Sequence, residues 1–564
     1  IVNKINFTIT NNFAITGRSG TGDENALIKF IGISAITVSG TFSVSASSSI
    51  VKRTTLYSVD DIMTLSATTL GNLSDTDFCG ITASGASAPW SGTRLGNAGR
   101  NSNITFTAPK TVYFAQTGTS TYIWATTTNW SATLGGATSV DNFPLAQDTA
   151  VFTDTYPGSG GTPINNANYC FPILDFSSRT VAMTLNIRTE CITGTVQLGS
   201  DITITDTDGL EVISGTFNIN NFAVTTPLLV AVYPTTKTIA FGTGSITVNG
   251  NNTTIVNVPY NALAGFEVTG TPTVNLTYSG ATGTRVIETA GSAGQSKSMN
   301  INITAGTDIV TVGTGTYPSG VRNYNLQGFA GTWSHNLVNL YGNLTVGSTV
   351  ATIQDVSFDY VGTGASTLTS SGKTLRGIIE VDSTGSFSLA DSLILTAFST
   401  NLAYLKLTTG TFDAAGFNVT VDRVISTGTN TRTLSLGSGT WLVTADDSGL
   451  IYAWDMSPGT NLTMQPSTSI VRLSSSGAQT FNGGAKTYNT VSVAGVGPKY
   501  IRQNNTFTTF NNTVVNGGNN TGLTFAGGGT NDYLSISYIT GTNSLAVGGI
   551  IFTNIAGSGF RITF

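Results

Sequence analysis

The sequence predicts an all-β fold built as an elongated solenoid, on three observations. Apolar and polar residues alternate with period two almost throughout, groups of Gly and Asn interrupt the alternation at short intervals, and one segment recurs 195 positions later. Alternation puts successive side chains on opposite faces of an extended chain, as in Ile202-Thr203-Ile204-Thr205, Phe217-Asn218-Ile219-Asn220 and Leu405-Lys406-Leu407-Thr408. Each reads as a short strand. Asn249-Gly250-Asn251-Asn252 and Asn516-Gly517-Gly518-Asn519 read as turns, because Gly and Asn accept the left-handed backbone of tight turns. The best helix candidate is Ser58 to Leu70, and its helical periodicity is weak.

The repeat aligns residues 214–248 with 409–443 without a gap, with identities at Gly215/Gly410, Phe217/Phe412, Val224/Val419, Gly242/Gly437, Gly244/Gly439 and Val248/Val443. Lys237 faces Arg432, Ile239 faces Leu434 and Phe241 faces Leu436, so the in-and-out pattern is kept. Upstream, residues 194–205 resemble 385–396 at an offset of 191, which leaves four extra residues in the second copy. A solenoid absorbs such an insertion as a longer turn on one face. Gly40-Thr41-Phe42, Gly331-Thr332-Trp333 and Gly439-Thr440-Trp441 echo one another at predicted strand starts. A Gly turn followed by an inward aromatic lets rungs stack ring on ring, each buried Phe or Leu contributing roughly 1.5 to 3 kcal/mol.

A chain of 564 residues would ordinarily divide into several domains. Solenoids escape that limit by adding rungs in one dimension. Charged residues make up only 9% of the chain, against roughly a quarter in an average soluble domain. Disorder does not follow from this deficit, since 39% of residues are hydrophobic and the net charge is −5, the reverse of a disordered composition. The 24 basic residues form no cluster, so nucleic acid is not expected as a partner. The longest apolar run, around Pro227 to Val232, falls far short of the ~18 residues of a membrane helix, which predicts a soluble chain or assembly without membrane insertion.

Cys79, Cys170 and Cys191 are too few and too scattered for a disulfide framework or a closely spaced metal site. They read as buried or free thiols, with a Cys170 to Cys191 bridge left open. The chain opens Ile1-Val2-Asn3-Lys4 without methionine. Processing and an earlier start are both open, and no signal peptide can be read.

The chemistry-bearing residues are sparse. His335 is the only histidine, so a Ser/His/Asp arrangement or a His-based metal site would have to use it; it reads as a surface or hydrogen-bonded structural residue. Paired carboxylates are the serious enzymatic option, because glycosidases work with acids about 5 to 10 Å apart. The candidates are Asp206, Asp208 and Glu211, then Asp446 and Asp447, then Asp141 with Asp148. A turn role competes with each, since Asp side chains bond local backbone amides. Neither the Asp206 nor the Asp446 group has a Lys or Arg within several positions, although residues distant in sequence meet on adjacent rungs.

Gly527-Gly528-Gly529 and Gly158-Ser159-Gly160-Gly161 lack the Gly-Lys-Ser/Thr ending that phosphate cradles need and read as turns. Asn-x-Ser/Thr triplets at Asn6, Asn275 and Asn461 follow from the abundance of those residues. Trp90, Trp441, Trp454 and Tyr452 are candidates for stacking on sugar faces, with core positions the stronger reading for large aromatics. No catalytic, cofactor-binding or metal-binding residue is assigned, and no cofactor is expected.

The run Trp124 to Ser131, containing Asn129-Trp130-Ser131, followed by Asn142-Phe143-Pro144-Leu145-Ala146-Gln147-Asp148-Thr149-Ala150-Val151-Phe152, resembles an element near the start of many β-helical surface proteins. Autotransporter passengers carry a version of it; long repetitive β-helical tail and appendage proteins of marine bacteriophages resemble it more closely. Pro89-Trp90-Ser91-Gly92-Thr93, Gly96-Asn97-Ala98-Gly99, the stretch Asn101 to Phe106, and Thr429 to Gly437 also resemble the phage group. The likeness spans roughly residues 70 to 520.

This resemblance implies a right-handed parallel β-helix in a virion, as a tail fibre, spike or surface fibre, with host attachment as its business and a trimer as the favoured homo-oligomer. The expected organisation is an N-terminal β-rich joining region at 1–70, a β-rich transition at 71–180 and a β-solenoid at 181–564. The expected partners are other virion proteins and a bacterial surface glycan or protein receptor. A bacterial extracellular adhesin or surface-layer protein of the same architecture is the alternative, and a polysaccharide-degrading β-helix enzyme a further one.

Overall fold

Alternation becomes strand wherever neighbouring segments satisfy its backbone, and that outcome dominates here. The computed structural model describes residues 5–16, 26–45, 53–58, 62–117, 121–123, 127–156, 162–164, 173–176, 178, 183–184, 195–198, 201–204, 209–212, 215–232, 236–251, 254–258, 265–289, 294–313, 319–397, 403–448, 451–494, 499–502 and 505–513, with strand segments between 523 and 562. Strands take 57% of the chain and helices 2%. The fold is all-β, and its sheets are mostly parallel. Among the described residues no helix is long and apolar enough to cross a membrane.

Two units divide the chain, Ile1–Tyr278 with Ile287–Met299, and Ser279–Val286 with Asn300–Phe564. In the first unit, Ile33–Ser45 pairs in parallel with Met63–Leu73, which pairs in parallel with Ile81–Ser84. A second parallel ladder, Ala26–Phe30, Thr54–Ser58, Thr76–Cys79 and Gly96–Asn97, alternates with these strands along the chain. Phe42, Val44, Leu56, Leu65, Phe78 and Trp90 belong to the apolar cluster that both ladders line.

The weak helical pattern at Ser58 to Leu70 is corrected by these strands: Ser58 ends one and Met63–Leu73 is another. Burial along the latter follows period two, with Met63, Leu65 and Ala67 inside and Thr64 and Ser66 half-exposed. Parallel neighbours on both sides supply its hydrogen bonds, an outcome that outweighs a marginal helical spacing.

Further along the first unit, three parallel ladders run together. One stacks Val196, Phe217, Ile239 and Val268 in register. A second stacks Ile202, Val224, Ile246 and Val274, and a third Leu210, Leu229 and Val256. All of these side chains are buried.

The second unit repeats the scheme. Val338, Phe358, Ile379, Leu405, Val424, Trp454, Phe481 and Ile501 form one in-register column across parallel strands, and every member is buried. Leu375, Leu395, Val421, Val443, Leu473 and Val493 form another buried column. That ladder starts at Thr374–Arg376, its outermost strand at that end.

The two copies of the repeat have the same local structure. Gly215–Asn218, Ala223–Thr226, Lys237–Ala240 and Ser245–Val248 are strands in the first copy, and Gly410 to Asp413, Val419–Val421, Arg432–Ser435 and Thr440–Val443 in the second. Phe217 pairs with Ile239 as Phe412 pairs with Leu434, and Val224 with Ile246 as Val419 with Trp441. Lys237 and Arg432 are both fully buried. Arg432 spends its charge on backbone oxygens, Nη1 donating to Ser426 at 3.0 Å and Nη2 to Pro458 at 3.0 Å and Thr460 at 2.9 Å.

Candidate functional site

The residues nominated from sequence mostly serve the fold. Asp206 and Asp208 lie outside the described residues, as do Cys170 and Cys191. Glu211 is half-buried in the strand Leu210–Glu211. Cys79 is a buried thiol with Arg100 Nη2 4.0 Å from its Sγ. His335 is not at the surface: it is 5% exposed, its ring 5.2 Å from that of Trp333 and 6.3 Å from that of Phe358. Trp90, Trp441 and Trp454 are fully buried, so their faces are closed to sugars. Tyr452 differs, being half-exposed with the Arg502 guanidinium 5.1 Å over its ring.

Asp148 is fully buried and ties two segments together, Oδ2 accepting from the Leu145 amide at 2.8 Å and Oδ1 from the Lys110 amide at 3.0 Å. Burial pushes its carboxyl up, and those two amides oppose the rise. Asp141 contributes its backbone oxygen, which accepts from Lys110 Nζ. Lys110 therefore joins the Asp141 and Asp148 segments, its ammonium on the Asp141 backbone oxygen and its backbone amide on the Asp148 carboxylate. In the same region Trp130 packs edge-on against Phe114 at 5.4 Å and Phe152 at 5.8 Å, which gives the Asn129-Trp130 and Asp148 to Phe152 runs a packing role.

Asp446 and Asp447 have distant cationic neighbours. Arg423 Nη2 donates to the Asp446 backbone oxygen at 2.6 Å. Lys499, fully buried, donates from Nζ to the backbone oxygens of Ser475 at 3.0 Å and Gly477 at 2.9 Å, and feels both aspartates electrostatically. Asp447 Oδ1 accepts from the amides of Ala453 and Thr480, both at 2.9 Å, and Oδ2 from Thr480 Oγ1 at 2.7 Å. Asp446 accepts from Ser475 Oγ. Each carboxylate is thus engaged in holding neighbouring loops.

A different group brings two carboxylates and a cation together. Asp359 pairs in register with Glu380, and Glu380 with Lys406, on three successive parallel strands. In-register neighbours on adjacent strands lie about 4.8 Å apart along the ladder, so the two acids stand side by side on one face of the sheet. Lys406 Nζ lies 2.7 Å from Glu380 Oε1, and Thr408 Oγ1 donates to the same oxygen at 2.6 Å. Burial first, then the negative charges of Glu380 and Asp382, raise the Asp359 carboxyl to about 6 against the pull of Lys406. Asp359 is therefore protonated below about pH 6 beside a Glu380 held by a cation. Such a pair can donate and accept protons.

Sequence reasoning missed this group because no local motif marks it. Among the described residues no group of three or more His, Cys, Asp or Glu is placed to hold a metal ion. Comparison with family models, with curated proteins and with solved structures finds no match.

Proposed function

We propose that this chain is a structural and adhesive appendage protein of a bacteriophage virion, a tail fibre, spike or surface fibre that meets the host surface. In this reading each unit is a right-handed parallel β-solenoid, elongated along its ladders, and the protein works by rigid display rather than by catalysis. Its turns hold surface loops at fixed spacing, so that weak contacts on several copies add through multivalency. A homotrimer seated on other virion proteins would present such copies together, with a bacterial surface glycan or protein as receptor.

The observation that carries the reading is the buried column from Val338 to Ile501, one residue from each of eight successively paired strands. A ladder of that regularity is a scaffold for spacing. Two further features support it. Buried charge is used internally, as in the Arg53–Asp77 pair at 2.7 Å and the carbonyl contacts of Arg432 and Lys499. Thr and Ser take about half of the outward positions of strands such as Ile378–Leu389 and Tyr404–Asp413, which also carry the charged Glu380, Asp382, Lys406 and Asp413, a polar surface able to meet solvent or a receptor.

Immunogold electron microscopy of native particles tests the location, and incubation of host cells with fluorescent purified chain tests the contact. Labelled appendages and saturable cell binding that competes with infection are expected; label confined to bacterial envelopes would favour the adhesin alternative instead. A second reading, cleavage of a surface polysaccharide, is favoured by Asp359 held near 6 beside Glu380. It requires release of reducing ends from a host glycan that both Asp359→Asn and Glu380→Gln abolish.

A further inference from the structure

In the second unit a surface cavity of about 460 Å³ opens beside the outermost strand Thr374–Arg376. Its lining is basic. Lys373 and Arg376 both face it, no acidic residue lines it, and the chain as a whole carries a net charge of −5. Elsewhere some described cations pair with carboxylates, as Arg94 does with Asp75 at 2.7 Å, Arg285 with Asp308 at 2.7 Å and Lys406 with Glu380 at 2.7 Å, and others, such as Arg432 and Lys499, bond to backbone oxygens.

The cavity cations are of the second kind, but unlike Arg432 and Lys499 they are not fully buried. Lys373 Nζ donates to the Val350 backbone oxygen at 2.7 Å, and Arg376 Nη1 reaches the Ala397 backbone oxygen only at 3.4 Å. Both bonds fix the side chains without neutralising them, and both side chains stay half-exposed.

The other walls narrow the ligand class. Val350 and Ile353 are buried and supply an apolar floor, while Thr352 and Thr374 carry hydroxyls. A volume of this size suits a small ligand. An apolar floor matches the C–H face of a sugar ring, hydroxyls match its polar edge, and cations with no carboxylate among the lining residues match an oxyanion through charge-assisted bonds.

We infer that this cavity binds an acidic saccharide, a sugar ring bearing a carboxylate or a sulfate, with Arg376 and Lys373 on the oxyanion. The inference rests on the surface-contact reading for its biological setting and names the receptor chemistry that reading leaves open.

The test is calorimetric titration of the full chain with three hexasaccharides: an oligogalacturonate, a sulfated oligosaccharide and a neutral oligomer of similar length. Expected are binding of at least one acidic oligomer, at least tenfold weaker binding of the neutral one, and weakening as salt rises. Preference for galacturonate or for sulfate identifies the oxyanion. Arg376→Gln should cost at least tenfold in affinity and Arg376→Lys less. Lys373→Ala should also weaken binding, and because Lys373 holds the Val350 carbonyl, its thermal melt is measured alongside. The Arg376 variants keep the test independent of that bond.

Equal binding of acidic and neutral oligomers, no binding of either acidic oligomer, or full affinity in Arg376→Gln would overturn the assignment. So would a glutamate-rich peptide that binds as tightly as the saccharide. Failure here is distinguishable from failure of the surface-contact reading. A chain that labels host cells equally well with Arg376→Gln retains the reading and loses the cavity, whereas a chain that binds acidic sugars and labels no cell retains the cavity and loses the reading.

Discussion

Arg285 and Asp308 form a buried two-point ion pair across 23 positions of sequence, Nε to Oδ2 at 2.7 Å and Nη2 to Oδ1 at 2.8 Å. The guanidinium also donates to the Ala305 backbone oxygen at 3.0 Å and sits 5.7 Å over the Phe329 ring. Removing one partner strands the other charge in a dry setting, a loss of about 3 to 5 kcal/mol. Arg285→Met should therefore destabilise strongly, and adding Asp308→Leu should recover most of the loss. Urea midpoints of the parent, single and double variants check this; a double variant no better than the single contradicts it.

Aromatic stacking separates core from surface in the same residue type. Phe152 lies between Phe114 at 5.4 Å and Phe176 at 5.0 Å, both stacked, whereas Phe417 is 37% exposed. Phe152→Ala should cost about 3 to 5 kcal/mol, and Phe417→Ala about 0.5 kcal/mol or less. Thermal melts of the two variants are the comparison.

The acid ladder makes stability depend on pH. The Asp359 carboxyl rises from 3.8 to about 6 on folding, so between those values the folded chain binds more protons than the unfolded one. Stability due to this group is full below about pH 4 and falls until about pH 6. Asp359→Asn removes that loss. The variant should melt higher than the parent at pH 7.5 and level with it at pH 3.5; an equal difference at both pH values would rule out titration of Asp359 as the cause.

The repeat predicts matched glycines. A Cβ at Gly244 would lie 2.2 Å from the Phe222 backbone oxygen, and one at Gly439 2.1 Å from that of Phe417. A Cβ at Gly364 would meet nothing within 4 Å. Gly244→Ala and Gly439→Ala should lower the melting temperature to a similar degree, with Gly364→Ala close to the parent. Unequal effects at the two repeat positions would show that the copies are not structurally equivalent.

Sequence made the ladders legible and left the site illegible, for one physical reason. Alternation and the 195-residue repeat are local or collinear signals, and the structure carries them as strands with the same register at Phe217 and Phe412. Lys237 and Arg432 matched in the alignment and match in burial. Asp359, Glu380 and Lys406, by contrast, meet only because successive strands pair in register, and the chain length between strands varies too much to be read as spacing. Lys499 reaches the Asp446 and Asp447 group in the same way. His335 shares the inward face of Trp333, two positions earlier in the same strand, so period-two alternation marks it as buried where its polarity alone suggests the surface.

Electron cryo-microscopy of the purified chain tests the proposed coil most directly. Within each unit the map should resolve strand layers about 4.8 Å apart, with Phe217 between Val196 and Ile239 and Phe412 between Phe387 and Leu434. Helical globules, antiparallel sandwiches, or unlike surroundings for Phe217 and Phe412 would contradict it.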